Sequence, residues 1–245
     1  MKSQIQDCFN NASSSYDATS LIQYQCAEQL VNILRHQARD FLPQTILDLG
    51  TGTGHLPKLL YPYYPNAVYT LNDMAPEMLL QAQQKLHPSQ AARYVLGDME
   101  NTPFTDHDLI MSNFAFQWLG DLPSALHKFY NLSQVFAFSC LLDGTLQDWE
   151  ELLKSYNIVS PLRRHPTTRH LTEILDSFTS SSLYTKTKEV TVTFPNAYSF
   201  MYYLRRLGAS ASTTSIPYGQ LRKVIKNHLD DLTVTYKLMF VILQR

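Results

Sequence analysis

Apolar positions recur at helical spacing along some stretches of the chain and gather in short β-prone runs along others. Residues 1–15 are polar, with Asn10-Asn11 and Ser13-Ser14-Ser15, and read as a weakly structured arm. From about Thr19 to Phe41, Leu21, Ile22, Ala27, Leu30, Val31 and Leu34 mark a helix that Pro43 stops. Strand-like runs follow at 46–49, 68–71, 92–96, 108–113 and 135–139, separated by helical stretches at 55–62, 76–86 and 121–131. Residues 144–157 and 168–178 read as two helices divided by Pro161 and Pro166. A strand over 189–194, a helix over 198–207, a mobile Gly/Ala/Ser/Thr loop over 208–215, a helix over 217–229 and a strand over 233–243 complete the pattern. Strands alternating with helices predict an α/β fold, a mostly parallel sheet covered by helices on both faces.

The 245-residue length suits one such domain. Its parts are an N-terminal arm and helix (1–42), a core (43–143), an insertion (144–182) and C-terminal strands and helices (183–245). Hydrophobic residues at 44% and charged residues at 17% are ordinary for a globular protein. No apolar run approaches the roughly 20 residues of a membrane span. The first residues lack a signal-peptide core, so a cytoplasmic location is expected. Cys8, Cys26 and Cys140 form neither a disulfide framework nor a zinc motif, and the eight histidines show no ligand spacing, so no metal is expected. The net charge of −1 conceals an asymmetry: residues 1–150 carry 7 Lys+Arg and 15 Asp+Glu, a net −8, and residues 151–245 carry 13 and 6, a net +7. The basic part either meets an acidic partner or simply solvates helix faces.

The most informative stretch is Ile46-Leu47-Asp48-Leu49-Gly50-Thr51-Gly52-Thr53-Gly54. An apolar strand runs into a glycine turn and then a helix, which is how a doubly wound sheet presents its nucleotide site. The glycine spacing does not fit G-x-G-x-x-G, because His55 or Pro57 occupies the third slot. It does resemble motif I of the class I S-adenosylmethionine (SAM)-dependent methyltransferases, E/D-x-G-x-G-x-G. Roughly twenty residues on, Val68–Leu71 ends at Asn72-Asp73-Met74, where a strand-tip carboxylate receives ribose hydroxyls. Asp73 can equally cap the helix that starts at Pro76.

That resemblance implies a Rossmann-like, seven-stranded, mostly parallel sheet with an antiparallel last strand and a helical lid insertion. It implies SAM as cofactor, with S-adenosylhomocysteine as product. It places Asp48, Gly50, Thr51, Gly52, Gly54, Asp73, Met74, Asp98, Met99 and Asn113 at the cofactor, with Asp98 accepting from the adenine amine and Met99 packing on the ring. Tyr16 becomes either a lid residue or a half-buried packing aromatic. Asn113, Phe114, Gln117 and Trp118 follow the fourth strand, nearest the methyl group, although Phe114 and Trp118 serve a helix-packing core as well.

A wider set of residues resembles the malonyl-[acyl-carrier protein] O-methyltransferases of biotin synthesis. It comprises Tyr16-Asp17 with Leu21-Ile22-Gln23, the run Ser112-Asn113-Phe114-Ala115-Phe116-Gln117-Trp118, Phe138-Ser139-Cys140-Leu141 with Gly144-Thr145-Leu146, and Leu204-Arg205-Arg206-Leu207-Gly208-Ala209. The segments before the fourth and fifth strands, 103–107 and 131–134, are shorter than the family pattern. The resemblance implies methylation of the free carboxylate of a malonyl thioester on acyl-carrier protein or coenzyme A. Tyr16, Gln117, Arg205 and Arg206 are the implied catalytic residues, with Arg163 and Arg164 as further candidates for the substrate carboxylate. Two alternatives share the fold: a methyltransferase of another small carboxylate or hydroxyl, and a methyltransferase-like assembly factor for a respiratory complex. No basic tract and no Asp/Asn-Pro-Pro-Tyr/Phe motif marks a nucleic-acid substrate, and the sequence does not give the oligomeric state.

Overall fold

The computed structural model describes residues 2–209 and 216–245. Most of the loop expected over 208–215 therefore lies outside the described residues. Among the described residues, seven strands form one sheet in the order β3-β2-β1-β4-β5-β7-β6. They are β1 (Thr45–Leu49), β2 (Val68–Asp73), β3 (Ala92–Leu96), β4 (His107–Asn113), β5 (Ser133–Leu141), β6 (Ser182–Phe194) and β7 (Leu232–Gln244). The first five pair in parallel, and β7 runs antiparallel to both of its neighbours. The order reverses between β1 and β4, so the switch point lies at the carboxyl ends of the two strands that carry Asp48 and Asn113.

Helices cover both faces. On one, α2 (Leu21–Gln37), α3 (His55–Leu60) and α4 (Pro76–Lys85) bury Leu30, Leu34, Leu60 and Ala82 against Ile46, Tyr69 and Leu71. On the other, α5 (Leu122–Asn131) packs Leu126 and Phe129 on Phe136 and Phe138. The inserted pair α6 (Gln147–Ser155) and α7 (Thr168–Leu175) lies between β5 and β6. Trp149 and Leu153 enter the first core, and Leu171 and Leu175 enter the second. Caps close several helix starts: Asp121, Thr167 and Asn196 each accept a backbone N–H of the first turn. The last two helices are α8 (Ala197–Arg206) and α9 (Tyr218–Asn227). No described helix is long and apolar enough to cross a membrane, and the described residues include no His/Cys/Asp/Glu group able to hold a metal.

Two elements differ from the sequence-based expectation. The polar arm is a helix, α1 (Lys2–Thr19), separated from α2 by a break at Ser20. Serine and asparagine are weak helix formers because their side chains bond nearby backbone instead. Here Ser13 and Thr19 bond back to carbonyls of the preceding turn, Asn10 and Ser15, within the helix. Ile5, Phe9, Ala12 and Tyr16 fall on one face, and that stripe docks the helix. The sixth strand begins at Ser182 rather than Glu189. Its first half lies at the sheet edge with mostly exposed side chains, so no hydrophobic alternation marks it.

Candidate active site

A cleft opens at the switch point. Its floor is the loop after β1. Gly50, Gly52 and Gly54 all have positive φ, at 66°, 56° and 84°, a region that L side chains rarely adopt. Gly50 also has no room for a side chain, since a Cβ there would sit 2.5 Å from Ala115 Cβ. Gly54 presses on Ala82 of α4 and so seats the loop on that helix. The Thr51 N–H donates to the Asn72 carbonyl at 2.8 Å, tying the loop to β2.

Asp73 completes this floor. Its Oδ2 accepts the Gly52 N–H and its Oδ1 accepts the Ala75 N–H, both at 2.9 Å. The sequence left ribose binding and helix capping open for Asp73. The carboxylate does reach the start of α4, and it also lines the cleft beside Gly52. Burial raises its pKa, and the N–H groups of Ala75, Gly52 and Met74 pull it back.

Asp48 lies beneath the loop with both oxygens buried and without a hydrogen-bond partner. Burial pushes its pKa up to about 7; the nearby Thr51 lowers it and the charge of Asp73 raises it. Neither Asp48 nor Asp73 joins an ion pair among the described residues. A buried acid and a half-buried one with no protein cation suit a ligand that brings positive charge of its own.

The far end of the cleft is formed after β3 by Gly97, Asp98 and Met99. Lys128 holds this turn by donating to the carbonyls of Met99, Glu100 and Thr102. Met99, Phe114, Trp118 and Leu119 give the cleft an apolar side. Phe114 has φ +53°, a strained value for a bulky residue, and its N–H donates to Ser139 Oγ. Asn113 is held by Ser139 Oγ on its carbonyl and by donation to the Gln23 carbonyl.

Helix α1 roofs the cleft with Lys2, Ile5, Phe9 and Tyr16. Lys2 Nζ pairs with Asp98 at 3.1 Å and Glu100 at 2.5 Å. Gln6 donates to the Met74 carbonyl, and Asn10 accepts the Glu77 N–H. At the other end Asp17 accepts from Thr53 Oγ1 at 2.5 Å and pairs with Lys85 at 2.6 Å. Burial works to raise the Asp17 pKa, but Lys85 and Thr53 outweigh it and hold the carboxyl below its usual range. The Tyr16 hydroxyl is pushed well up, by burial first and then by Asp73, Tyr203 and Asp17.

The structure thus brings Tyr16, Gly50, Gly52, Asp73, Met74, Asp98, Met99 and Asn113 together on one cleft. Asp48, Thr51 and Gly54 support it from below. Gln117 does not line it: its amide donates to the Phe114 carbonyl at 2.7 Å. Arg205 and Arg206 lie on α8, outside the cleft lining. Arg163, in the link between α6 and α7, is also outside the lining but touches a residue of the cleft wall. It lies 5.6 Å over the Trp118 ring and donates to the Gln117 carbonyl at 2.8 Å. Sequence reasoning missed Lys2, Ile5 and Phe9; the spacing of Ile5, Phe9, Ala12 and Tyr16 was the available signal.

The glycine cradle, the strand-tip acid Asp73, the apolar side wall and the buried acid Asp48 fit an adenosyl ligand with cationic centres, as the sequence resemblance implies. A methyltransferase-domain profile matches residues 46–134. Over 238 residues, 97% of this chain and 94% of the relative, the chain is 34% identical to malonyl-[acyl-carrier protein] O-methyltransferase of Neorickettsia risticii. It is 32% identical over 221 residues to the protein of that name from Anoxybacillus flavithermus, covering 87% of this chain and 82% of the relative. Two solved structures share the fold at 17% identity. YcgJ from Bacillus subtilis gives a TM-score of 0.60 over 89% of this chain and 98% of its own. The plantazolicin methyltransferase BpumL, solved with S-adenosylhomocysteine (SAH), gives 0.58 over 99% and 94%.

Proposed function

We propose a function from the premise that this chain belongs to the malonyl-[acyl-carrier protein] O-methyltransferase family. It is a SAM-dependent methyltransferase, and its acceptor is the free carboxylate of a malonyl group held as a thioester on acyl-carrier protein. The observation that carries the cofactor assignment is the pair of acids, buried Asp48 and half-buried Asp73, at a glycine loop where no ion pair answers either among the described residues. SAM would supply a sulfonium-bound methyl group as the electrophile, its sulfur leaving with the C–S electron pair. Asp73 would hold the ribose, and Asp98 and Met99 would receive the adenine, with Lys2 sharing or yielding Asp98.

A malonyl carboxylate is ionised at neutral pH, so the site needs no general base. What the chain must do is align the acceptor and keep water out. Tyr16, Phe114 and Trp118 exclude water. Arg163 is the acceptor's cation, because it stands over the ring of Trp118, a residue of the cleft wall, whereas Arg205 and Arg206 lie at the end of α8. Its attraction must hold the carboxylate without quenching it, since binding that favours the ground state slows transfer.

The direct test is intact-mass analysis of carrier protein after incubation with SAM. One added methyl on the malonyl-loaded form, and none on an acetyl-loaded control, is the expected result. Transfer to both or to neither would remove the acceptor assignment. Arg163→Ala should lower kcat/KM for the malonyl thioester about 10- to 100-fold, as for a lost charge-assisted contact, and leave SAM affinity within about twofold. An equal loss in both quantities would make Arg163 a structural support of the Trp118 wall.

Asp48 makes the cofactor step pH-dependent. Its pKa is about 7 in the folded chain against an ordinary 3.8. Between those values the folded state holds a proton that the unfolded state has released. Its contribution to stability therefore falls as pH rises through that window and is flat above it. A cationic ligand favours the ionised form, so SAM binding should release a proton below about pH 7, and affinity should rise with pH up to there. Calorimetric titration near about pH 6, in buffers of different ionisation enthalpy, reads that release. Asp48→Asn should abolish it; persistence of the release would assign the proton to another group.

A further inference from the structure

Between Glu189 and Asp230 the chain has no acidic residue, and those 40 positions carry Arg205, Arg206, Arg222, Lys223 and Lys226. The first two close α8 and the other three lie on α9. The two helices pack together over buried Phe200 and Val224. None of the five basic residues joins an ion pair among the described residues. Arg205, Arg222, Lys223 and Lys226 are exposed. So are three aromatics of these helices: Tyr198 (56%), Tyr202 (51%) and Tyr218 (78%). Like charges left together without counter-charges repel each other, and exposed rings are poorly solvated. The combination is characteristic of a surface that meets an acidic partner.

This face also adjoins the cleft. Gly208, just past α8, lies so close to Phe9 that a Cβ would sit 2.7 Å from its ring. The Phe9 ring meets Trp118 edge-on at 5.5 Å, and Arg163 lies over the other part of the same wall. A continuous apolar line thus runs from the end of α8, through Phe9 and Trp118, to the arginine assigned to the acceptor.

We propose that the α8–α9 face is the docking surface for the acyl-carrier protein, received through an acidic helical face of that partner. Its thioester arm then passes Phe9 and Trp118 into the cleft. The inference rests on the malonyl-thioester reading. Docking by charge sets encounter rate and orientation more than final affinity, and salt screens it.

The test reverses three exposed residues of α9, Arg222→Glu, Lys223→Glu and Lys226→Glu, in the full chain. With malonyl-loaded carrier protein, kcat/KM should fall at least about tenfold at low salt, and the gap should close as salt rises. With malonyl-pantetheine, which lacks the protein partner, the rate should stay that of the parent. Equal loss on both substrates, or no loss on either, overturns the docking site. Fluorescence anisotropy of labelled holo-carrier protein reads the same contact without turnover. If the parent methylates neither substrate, the acceptor reading has failed, and weaker carrier binding by the variant still decides the docking question. Unchanged carrier binding, or binding of RNA or anionic vesicles with none of carrier protein, overturns it as well. Unaltered SAM affinity shows that the variant is folded.

Discussion

Gly50→Val is expected to abolish measurable SAM binding and to cost about 2–5 kcal/mol of stability, combining backbone strain with overpacking. Two independent penalties meet at this position. At φ +66° a β-branched residue is strained whatever space surrounds it. The space is also absent, since the nearest atom is Ala115 Cβ at 2.5 Å, with Met99 Cε at 3.3 Å. The methionine tip can swing aside. Ala115 cannot, because its Cβ is fixed to the backbone beside strained Phe114. Relief therefore comes by moving the loop itself, and Gly52 with its bond to Asp73 goes with it. Thermal melting and SAM titration of Gly50→Val and the milder Gly50→Ala check this. The alanine variant carries most of the strain and a single clashing atom, so it should fall between the parent and valine. Parent-like SAM affinity in Gly50→Ala would mean that the loop's backbone is not where the cofactor lies.

Asp73→Ala should raise the Kd for SAM by about 5- to 150-fold, equivalent to about 1–3 kcal/mol, as for the loss of a charge-assisted hydrogen bond. The carboxylate has two duties, and the variant removes both. It holds Gly52 and Ala75 in place through two 2.9 Å bonds, and it offers the ribose an acceptor from the cleft floor. Asp73→Asn disturbs both duties as well. Its single carbonyl oxygen can keep one of the two backbone N–H groups while its NH₂ faces the other, so it should lose loop order and affinity together. Removing the charge also frees Asp48 from a repulsive neighbour, so the pKa of Asp48 should fall in either variant. A lowered melting temperature with unchanged Kd would make Asp73 a loop tether alone.

What could be read from the chain without coordinates divides along a physical line. The glycine loop and Asp73 were legible because their chemistry is local: a turn that only glycine tolerates, followed at fixed distance by an acid at a strand tip. The seven-stranded, mostly parallel sheet and its antiparallel last strand were legible because the fold resemblance implies them. The roof was not. Asn10, Asn11 and three consecutive serines mask the Ile5-Phe9-Ala12-Tyr16 stripe, and only docking onto α4 and α8 makes that sequence helical. The four candidate arginines also could not be ranked. Their distances to the cleft depend on how the α6–α7 link and α8 pack, which no local pattern encodes. Phe114 and Trp118 were left between core and site; in the structure Phe114 joins both, and half-buried Trp118 is a wall of the cleft on which Phe9 and Arg163 rest.

The roof has a kinetic consequence. Helix α1 is fastened at the adenine end by Lys2, along its length by Gln6 and Asn10, and beyond the glycine loop by Asp17. A ligand lodged beneath it leaves only when several of these fastenings release together, a local unfolding event rather than a side-chain flicker. With Asp98 receiving the adenine as proposed, Lys2 competes for the same carboxylate, and arrival of the cofactor should loosen the first fastening while the others persist. Exchange of spent for fresh cofactor is then paced by the helix rather than by diffusion. The turnover ceiling should then depend as much on the polar residues along this first helix as on the chemistry of methyl transfer.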